Sequence, residues 1–443
     1  MIDQSIIEKI KAAADIVDVV SDYVELTKRG ASYVGLCPFH DDHSPSFYVT
    51  PSRGSWHCFV CDEGGNAINF VMKHEGLSYP EALRRLARKY SIEIPERYLS
   101  KDEWIRQKRA EDLLAVNAAT MQYYASSLAT ADEGVGLEYF RQRGFSDATL
   151  ATYHVGYAPQ HSDVMGAVKD SGQEMKYLMP SDSEMHFRSG KSLHVEHGVG
   201  TIMQVDGRFV DVFSGRVIFP WLNAAGEVVA FGGRKLDQAT HGVTMKYRNS
   251  PESLVYRKSR ELWGLCQAKA AIQKEGLAYI TEGYTDVMML HQTGIENVVG
   301  TAGTALTEEQ ARLLGRYARH VVLLYDADEA GIAAARRAIP ILLRQGLNVS
   351  VVLLPEGEDP DSFARQHTPE DVKAYLTAHK QDFVRFLSDR LLKPTDDLPT
   401  RAEAINAILA DIALINDAIL RDLYLQQLSD ITRISKETLA GQL

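Results

Sequence analysis

Three apolar runs set the rhythm of the second half of the chain. Ala278-Tyr279-Ile280-Thr281, His320-Val321-Val322-Leu323-Leu324-Tyr325 and Asn348-Val349-Ser350-Val351-Val352-Leu353-Leu354 each read as a buried strand. Between them the apolar positions shift to helical spacing, most plainly over residues 330–345. Strand and helix in alternation predict a parallel sheet with right-handed crossovers. Earlier in the chain the pattern differs. Residues 3–14 and 66–74 read as helices, as do residues 78–90, which open on a Ser78/Glu81 capping box, and residues 101–128. Residues 46–50 and 55–57 read as strands around the turn Pro51-Ser52-Arg53-Gly54, and residues 138–265 break into short strands and turns. Residues 369–392 and 396–443 read as helices joined near Lys393-Pro394.

Carboxylates fall on this pattern in a telling way. Each strand of the second half is followed by an acidic group: Glu282-Gly283-Tyr284-Thr285-Asp286, then Asp326-Ala327-Asp328, then Asp359-Pro360-Asp361. Open parallel sheets bind ligands beyond the carboxyl ends of their strands. Glu282, Asp286, Asp326, Asp328, Asp359 and Asp361 are therefore expected to share one rim. So many like charges raise one another's pKa unless a cation joins them. Hard oxygen ligands suit Mg²⁺ or Mn²⁺, which completes its shell with water and phosphate oxygens. Helix capping by Asp328, with Asp359 and Asp361 starting another helix, is the competing explanation. Three acidic pairs at three strand ends favour metal.

A second cluster lies near the start. Cys37-Pro38-Phe39-His40 is followed by seventeen residues and then Cys58-Phe59-Val60-Cys61. Two close pairs separated by a hairpin-length spacer fit tetrahedral Zn²⁺, with three thiolates and one imidazole, on a zinc ribbon. His43 and His57 compete with His40 for the fourth position. Trp56 and Arg53 are expected to be exposed contacts for single-stranded nucleic acid, whereas Phe47 and Phe59 suit a small core equally well.

Composition narrows the class. The 443 residues are 45% apolar and 24% charged, as in an ordinary globular protein of about three domains. No apolar run approaches the roughly 20 residues of a membrane span, and the first residues lack a secretory pattern, so a cytoplasmic protein is expected. A net charge of −11 argues against a general polyanion-binding surface. Residues 207–260 nevertheless carry nine Lys/Arg against four Asp/Glu, a local basic island fit to follow phosphates. Residues 181–205, with His186, His194 and His197, read as a solvated loop rather than a further metal site. Neither a Walker loop nor Gly-x-Gly-x-x-Gly opens a helix, which disfavours a nucleotide-driven motor.

The acidic groups, with Gly300-Thr301-Ala302-Gly303-Thr304 between them, resemble the Toprim domain as it occurs in DnaG-type bacterial DNA primases. The Cys37–Cys61 region resembles the zinc-binding domain of the same family. So do Tyr139-Phe140-Arg141-Gln142-Arg143, Ala230-Phe231-Gly232-Gly233-Arg234 and Lys246-Tyr247-Arg248-Asn249-Ser250 with their catalytic core. The fold implied is α/β (α+β overall). It comprises a zinc ribbon (1–98), a mixed α+β basic subdomain (102–270), a Toprim parallel-sheet subdomain (271–366) and a C-terminal helical bundle (367–443). The first boundary falls near residues 94–102.

The activity implied is metal-dependent RNA primer synthesis from ribonucleoside triphosphates on single-stranded DNA, at the replisome. Resemblance places Glu282, Asp326 and Asp328 at the chemistry, with Glu282 as metal ligand or proton acceptor. Arg143, Arg216, Arg234, Lys246 and Lys258 would contact nucleotide or template. A Toprim nuclease or topoisomerase, and a non-catalytic single-strand binding scaffold, are the rival functions. Ala327 replaces a glycine usual in the family, and Val212 and Ser214 replace two basic residues. A replicative helicase is the expected partner, but its usual binding domain is expected to be absent.

Overall fold

The computed structural model describes residues 4–93, 101–187, 189–236, 245–393, 395 and 397–443. The expected boundary near 94–102 falls largely outside the described residues, as does Pro394 of the expected helix junction. The chain forms two compact units, Met1–Arg106 and Gln107–Leu443.

In the first unit, helix Ile16–Ser21 begins at Asp15, whose carboxylate accepts from the amides of Val17 and Asp18. Five antiparallel strands follow in sequence order: Thr27–Arg29, Ser32–Gly35, Phe47–Thr50, Ser55–Cys58 and Gly64–Gly65. The tight turn between the third and fourth ends on Gly54 at φ 58°, a conformation glycine adopts without strain. Helix Ala67–Glu75 packs on the sheet, and helix Tyr79–Lys89 packs on that helix. The second carries the expected capping box, with the Ser78 amide donating to Glu81 Oε2 at 2.8 Å. Phe47, Trp56 and Phe70 form the centre of this small core, with Phe47 and Trp56 stacked at 5.2 Å.

Helix Lys101–Ser127 lies mostly in the second unit, where buried Asn117 fixes it to a four-stranded antiparallel sheet by donating to the Val229 carbonyl at 3.0 Å. That sheet runs in the order Tyr247–Asn249, Val228–Lys235, Arg216–Leu222, Gly156–Ala158. Residues 181–205 are not a simple loop. Ser183–His186 pairs with Ser192–Val195, and Ile202–Val205 pairs with Arg208–Asp211. His194 faces Glu184 across the first hairpin at 3.3 Å, and Gln204 ties the hairpins together through both backbone groups of His186. Short alternating segments with half their side chains exposed resemble loops in composition, which is why this pairing was not anticipated.

The parallel sheet matches the expected rhythm and adds two short strands, one of them antiparallel. Its order is Val298–Gly300, Leu277–Thr281, His320–Tyr325, Asn348–Leu353, with Gln381–Asp382 antiparallel at the edge. Leu277–Thr281 is paired in parallel on both sides, so the strand order reverses about it. Helices Tyr284–Gln292 and Glu329–Arg344 follow its first and third strands in sequence, and the three-residue strand Val298–Gly300 was too short to stand out as an apolar run. Residues 369–392 form two helices, Pro369–Ala378 and Phe383–Leu391, because the edge strand interrupts them. Helices Leu398–Ile412, Ala418–Thr432 and Lys436–Ala440 complete the chain. Among the described residues no helix is long and apolar enough to cross a membrane.

Candidate metal centres and nucleic-acid interface

The cysteine pairs converge through the sheet that separates them in sequence. Ligand atoms of Cys37, His40, Cys58 and Cys61 all lie within 4.8 Å of one another. His40 approaches Cys58 Sγ through Nδ1, at 3.9 Å. Its Nε2 is buried without a hydrogen-bond partner, 3.8 Å from Asp42. Asp42 in turn accepts from the Cys37 amide and the Ser46 hydroxyl, and these bonds, the hydroxyl first, hold its carboxyl down at about 2. Asp42 thus stands beside the ring nitrogen that does not face Cys58, where a carboxylate can orient a metal-bound imidazole. Burial pushes the Cys37 thiol up to about 12, so a thiolate there needs a cation beside it. The donor set and its outer support fit Zn²⁺.

The competing histidines are engaged elsewhere, His57 with Asp62 at 3.1 Å and exposed His43 beside Asp41. Asp42 and Ser46 were missed from sequence because neither belongs to the ligand spacing.

The aromatic expectations for the ribbon need correction. Trp56 is 2% exposed in the core and is not a surface contact, since its indole faces Phe47 and donates to the Asn66 carbonyl. Phe59 is instead 72% exposed, with Tyr48 and His57 edge-on to it at 5.2 and 4.8 Å. Strand alternation decides this, because Trp56 and Cys58 face inward and the chain has left the strand by Phe59. Arg53 is exposed as expected and joins Tyr48, His57 and Phe59 around one open cleft.

The acidic rim forms at the reversal point of the parallel sheet. Asp286, Asp328 and Asp359 each cap a helix with one oxygen, accepting from Gly283, Gly331 and Ser362 amides at 2.8, 2.7 and 2.6 Å. The capping explanation is thus correct for Asp328 and Asp359, with Asp361 in the first turn of the helix that Asp359 opens, and Asp286 adds a bond back to the amide before its own helix; yet each of the three bonded carboxylates retains a second oxygen. Electrostatics show the convergence. Glu282 is raised by burial, then by Asp326 and Asp328. Asp326 is raised by burial, then by Asp359 and Asp328. Buried Asp286 is pushed up to about 8 by desolvation, with Asp359, Asp361 and Asp326 adding to it.

Among the described residues, only the cysteine cluster gathers its donor atoms within 4.8 Å. The rim is more open, as suits a cation that keeps waters and substrate oxygens as ligands. Burial first, and then the neighbouring carboxylates, make the charged forms costly here, which fits these residues to a divalent metal.

The backbone makes this close approach possible at Gly331. A Cβ there would stand 2.2 Å from the Asp326 carbonyl. Ala327 has no positive φ, so alanine fits the place of the family glycine without strain. Positive φ occurs nearby at Ala302, 50°, and Gly303, 86°, in the glycine-bearing loop.

Asp361 has a different occupation. It is 2% exposed and ion-paired with Arg143, with Arg365 Nε at 3.6 Å. Arg143 and Arg234 lie over Tyr139 at 5.2 and 4.7 Å from the ring centre. Arg216 is 3% exposed and donates to the carbonyls of Gly233, Met245 and Lys246. That burial contradicts a direct nucleic-acid contact, and Arg216 instead secures the segment bearing Lys246. Lys246 is exposed. Lys258 is half-buried, its ammonium depressed by desolvation and 3.5 Å from the Gly303 carbonyl. Tyr284 joins the two sheets: its hydroxyl accepts from Trp221 Nε1 at 3.0 Å and donates to Asn249 at 2.6 Å. Gly232 makes room for it, since a Cβ there would meet that hydroxyl at 2.2 Å.

Four families match successive parts of the chain. They are the CHC2 zinc finger over residues 2–102, the N-terminal domain of the DNA primase catalytic core over 123–269, a Toprim-like family over 279–364, and the DnaB-helicase binding domain of primase over 384–437. The last overturns the expectation that a helicase-binding module is absent. The helices taken to close the core carry that match, because apolar spacing reveals a helix's buried face and not what its exposed face binds.

DNA primase of Halalkalibacterium halodurans is 36% identical over 442 residues, covering 99% of this chain and 70% of its own length. The crystal structure of the Aquifex aeolicus primase zinc-binding and RNA polymerase domains matches with a TM-score of 0.63 and 32% identity, covering 99% of each chain. A DnaG primase catalytic domain bound to ssDNA matches with a TM-score of 0.59 and 27% identity, over 73% of this chain and 99% of that one. A zinc-finger unit, a primase core and a Toprim sheet in one chain therefore place it in the DnaG-type bacterial DNA primase family, nucleotidyltransferases that synthesise RNA primers for DNA replication.

Proposed function

We propose that the rim of Glu282, Asp286, Asp326, Asp328 and Asp359 is the centre of primer synthesis and holds Mg²⁺ or Mn²⁺. The observation that carries this reading is the gathering of carboxyls at the reversal point of the sheet, each raised first by burial and then by its acidic neighbours. A divalent cation there neutralises charge developing at the attacked phosphorus. Glu282 stands beside the aspartates as a ligand or as acceptor of the attacking hydroxyl's proton. Asp361 orients Arg143 rather than serving as an exposed ligand. Arg143, Arg234, Lys246 and Lys258 hold nucleotide and template phosphates, and Arg216 keeps the Lys246 segment in place.

On the ribbon, Arg53, Tyr48 and Phe59 supply a charged and aromatic face for single-stranded DNA. Segments 1–98, 102–270, 271–366 and 367–443 divide these tasks. Residues 384–437 bind the replicative helicase, and Ile419 and Leu423, 75% and 61% exposed one helical turn apart, offer it an apolar ridge. The site of action is the cytoplasmic replisome.

The phosphate assignment has a direct test. Arg234→Ala or Lys246→Ala weakens ribonucleotide or template binding, and exposed Lys246→Ala leaves the thermal melt within about 2 °C, as expected for a surface substitution of small stability effect. A lost template contact also makes the salt dependence of binding shallower by about one charge. Fluorescence anisotropy across a salt series and nucleotide titration read both effects. Unchanged slope with unchanged nucleotide affinity assigns the residue to ordinary surface.

A further inference from the structure

Helix Val135–Gln142 contributes a side chain that the motifs did not single out for function. Tyr139 is half-buried, and the guanidinium carbons of Arg143 and Arg234 lie 5.2 and 4.7 Å from its ring centre. The two arginines come from different elements, one just past this helix and one on strand Val228–Lys235. Their like charges would otherwise drive these long side chains apart. A shared aromatic face attracts both at distances where cation–π contact is effective.

Three polar atoms in this cluster are buried without hydrogen-bond partners: Tyr139 Oη, Arg234 Nε and Asp361 Oδ1. Buried orphans are uncommon in folded proteins, and of these the unpaired Arg234 N–H is a donor that an oxyanion can complete, whereas Asp361 Oδ1 is an acceptor 3.6 Å from Arg365 Nε. Asp361 pairs with Arg143 and with Arg365, so one acid faces three guanidinium charges, leaving Arg143 and Arg234 suited to an oxyanion. Burial pushes the Tyr139 phenol up to about 12, against the opposing pull of Arg143 and Arg234, so the ring is un-ionised at neutral pH.

We propose that Tyr139 is a positioning residue. Its ring is the post that holds Arg143 and Arg234 side by side, so that together they grip one phosphate group of the nucleotide or of the template. This rests on the assignment of those arginines to phosphate made above. The chemistry required of the post is a π face and not a hydroxyl. An aliphatic side chain of similar bulk fills the space and leaves both guanidinium groups free to disperse.

The test compares Tyr139→Leu, Tyr139→Phe and Arg234→Ala in the full chain. ATP binding without template and binding of a fluorescent single-stranded oligonucleotide are measured separately. Tyr139→Leu weakens one of the two by about 3- to 30-fold, the range set by one or two cation–π contacts. Tyr139→Phe restores it to within about twofold. The arm that moves identifies the phosphate as nucleotide or backbone. If the leucine variant melts early, Tyr139→Met replaces it, keeping bulk without a π face. Tyr139→Leu binding both ligands as wild type does, while Arg234→Ala weakens one, overturns the positioning role. Tyr139→Phe losing as much as Tyr139→Leu also overturns it, since the hydroxyl would then be the contact. Arg234→Ala leaving both ligands unaffected removes the phosphate assignment beneath the proposal.

Discussion

Asp326→Asn and Asp328→Asn are each expected to lower template-dependent primer synthesis by more than about 100-fold. Loss of outer support around a metal already costs about 10- to 100-fold, and loss of a direct ligand costs more. Asparagine preserves shape and can still accept an N–H, so the Asp328 cap on helix Glu329–Arg344 is kept while the charge is lost. Single-strand binding is expected to persist, because the basic residues and the ribbon face are untouched. A filter assay of labelled ribonucleotide incorporation, run beside anisotropy, separates the two.

Stability moves the other way. Asp286 is pushed up to about 8, well above the usual aspartate value near 3.9. The folded state then binds a proton that the unfolded chain has released, so metal-free stability falls as pH rises from about 4 to about 8. Asp286→Asn flattens that decline, and Mg²⁺ added to the wild type opposes it. Thermal melts at pH 5.5 and 8, with and without metal, check the sign. A wild-type melt that rises through this range, with no flattening in the variant, contradicts it.

Cys58→Ser is expected to have the second large effect. Zinc content should fall from one per chain toward none, and Met1–Arg106 should lose its fold while Gln107–Leu443 keeps its melt. Zinc-finger peptides draw about 10–16 kcal/mol of apparent binding energy from the metal, more than a small core of this kind retains alone. Cys58 is fully buried and also bonded by Ser46 and the Val60 amide, so serine cannot substitute by rotating outward. Elemental analysis gives the stoichiometry, and limited proteolysis shows which unit opens. An unaltered zinc content in the variant rejects the ligand set. Asp42→Ala is expected to weaken zinc less, by about 10- to 100-fold.

Sequence showed most of what regular periodicity and spacing can carry. The three long buried strands, their acidic ends and the cysteine pairs were all legible because each depends on near neighbours in the chain. What failed was what depends on side-chain direction or on distant partners. Trp56, expected at the surface, lies in the core, and Phe59, left open between core and contact, lies outside, since alternation along Ser55–Cys58 turns Trp56 and Cys58 inward. Arg216 looked like a phosphate contact among its basic neighbours, but only the folded sheet reveals three carbonyls waiting for it. Asp361 shares a motif with Asp359 and differs in fate, because Arg143 lies 218 positions away in sequence. Tyr139 stood in a segment resembling the primase core without a role of its own, for the role proposed above arises from two arginines brought together by different elements.

The most direct measurement is anomalous diffraction from crystals of the full chain soaked in Mn²⁺. The account predicts manganese at the carboxyl ends of Leu277–Thr281 and His320–Tyr325, ligated by carboxylates of the rim and lost in Asp326→Asn. Manganese absent from the rim of crystals whose dissolved protein still makes primers with Mn²⁺ would contradict it.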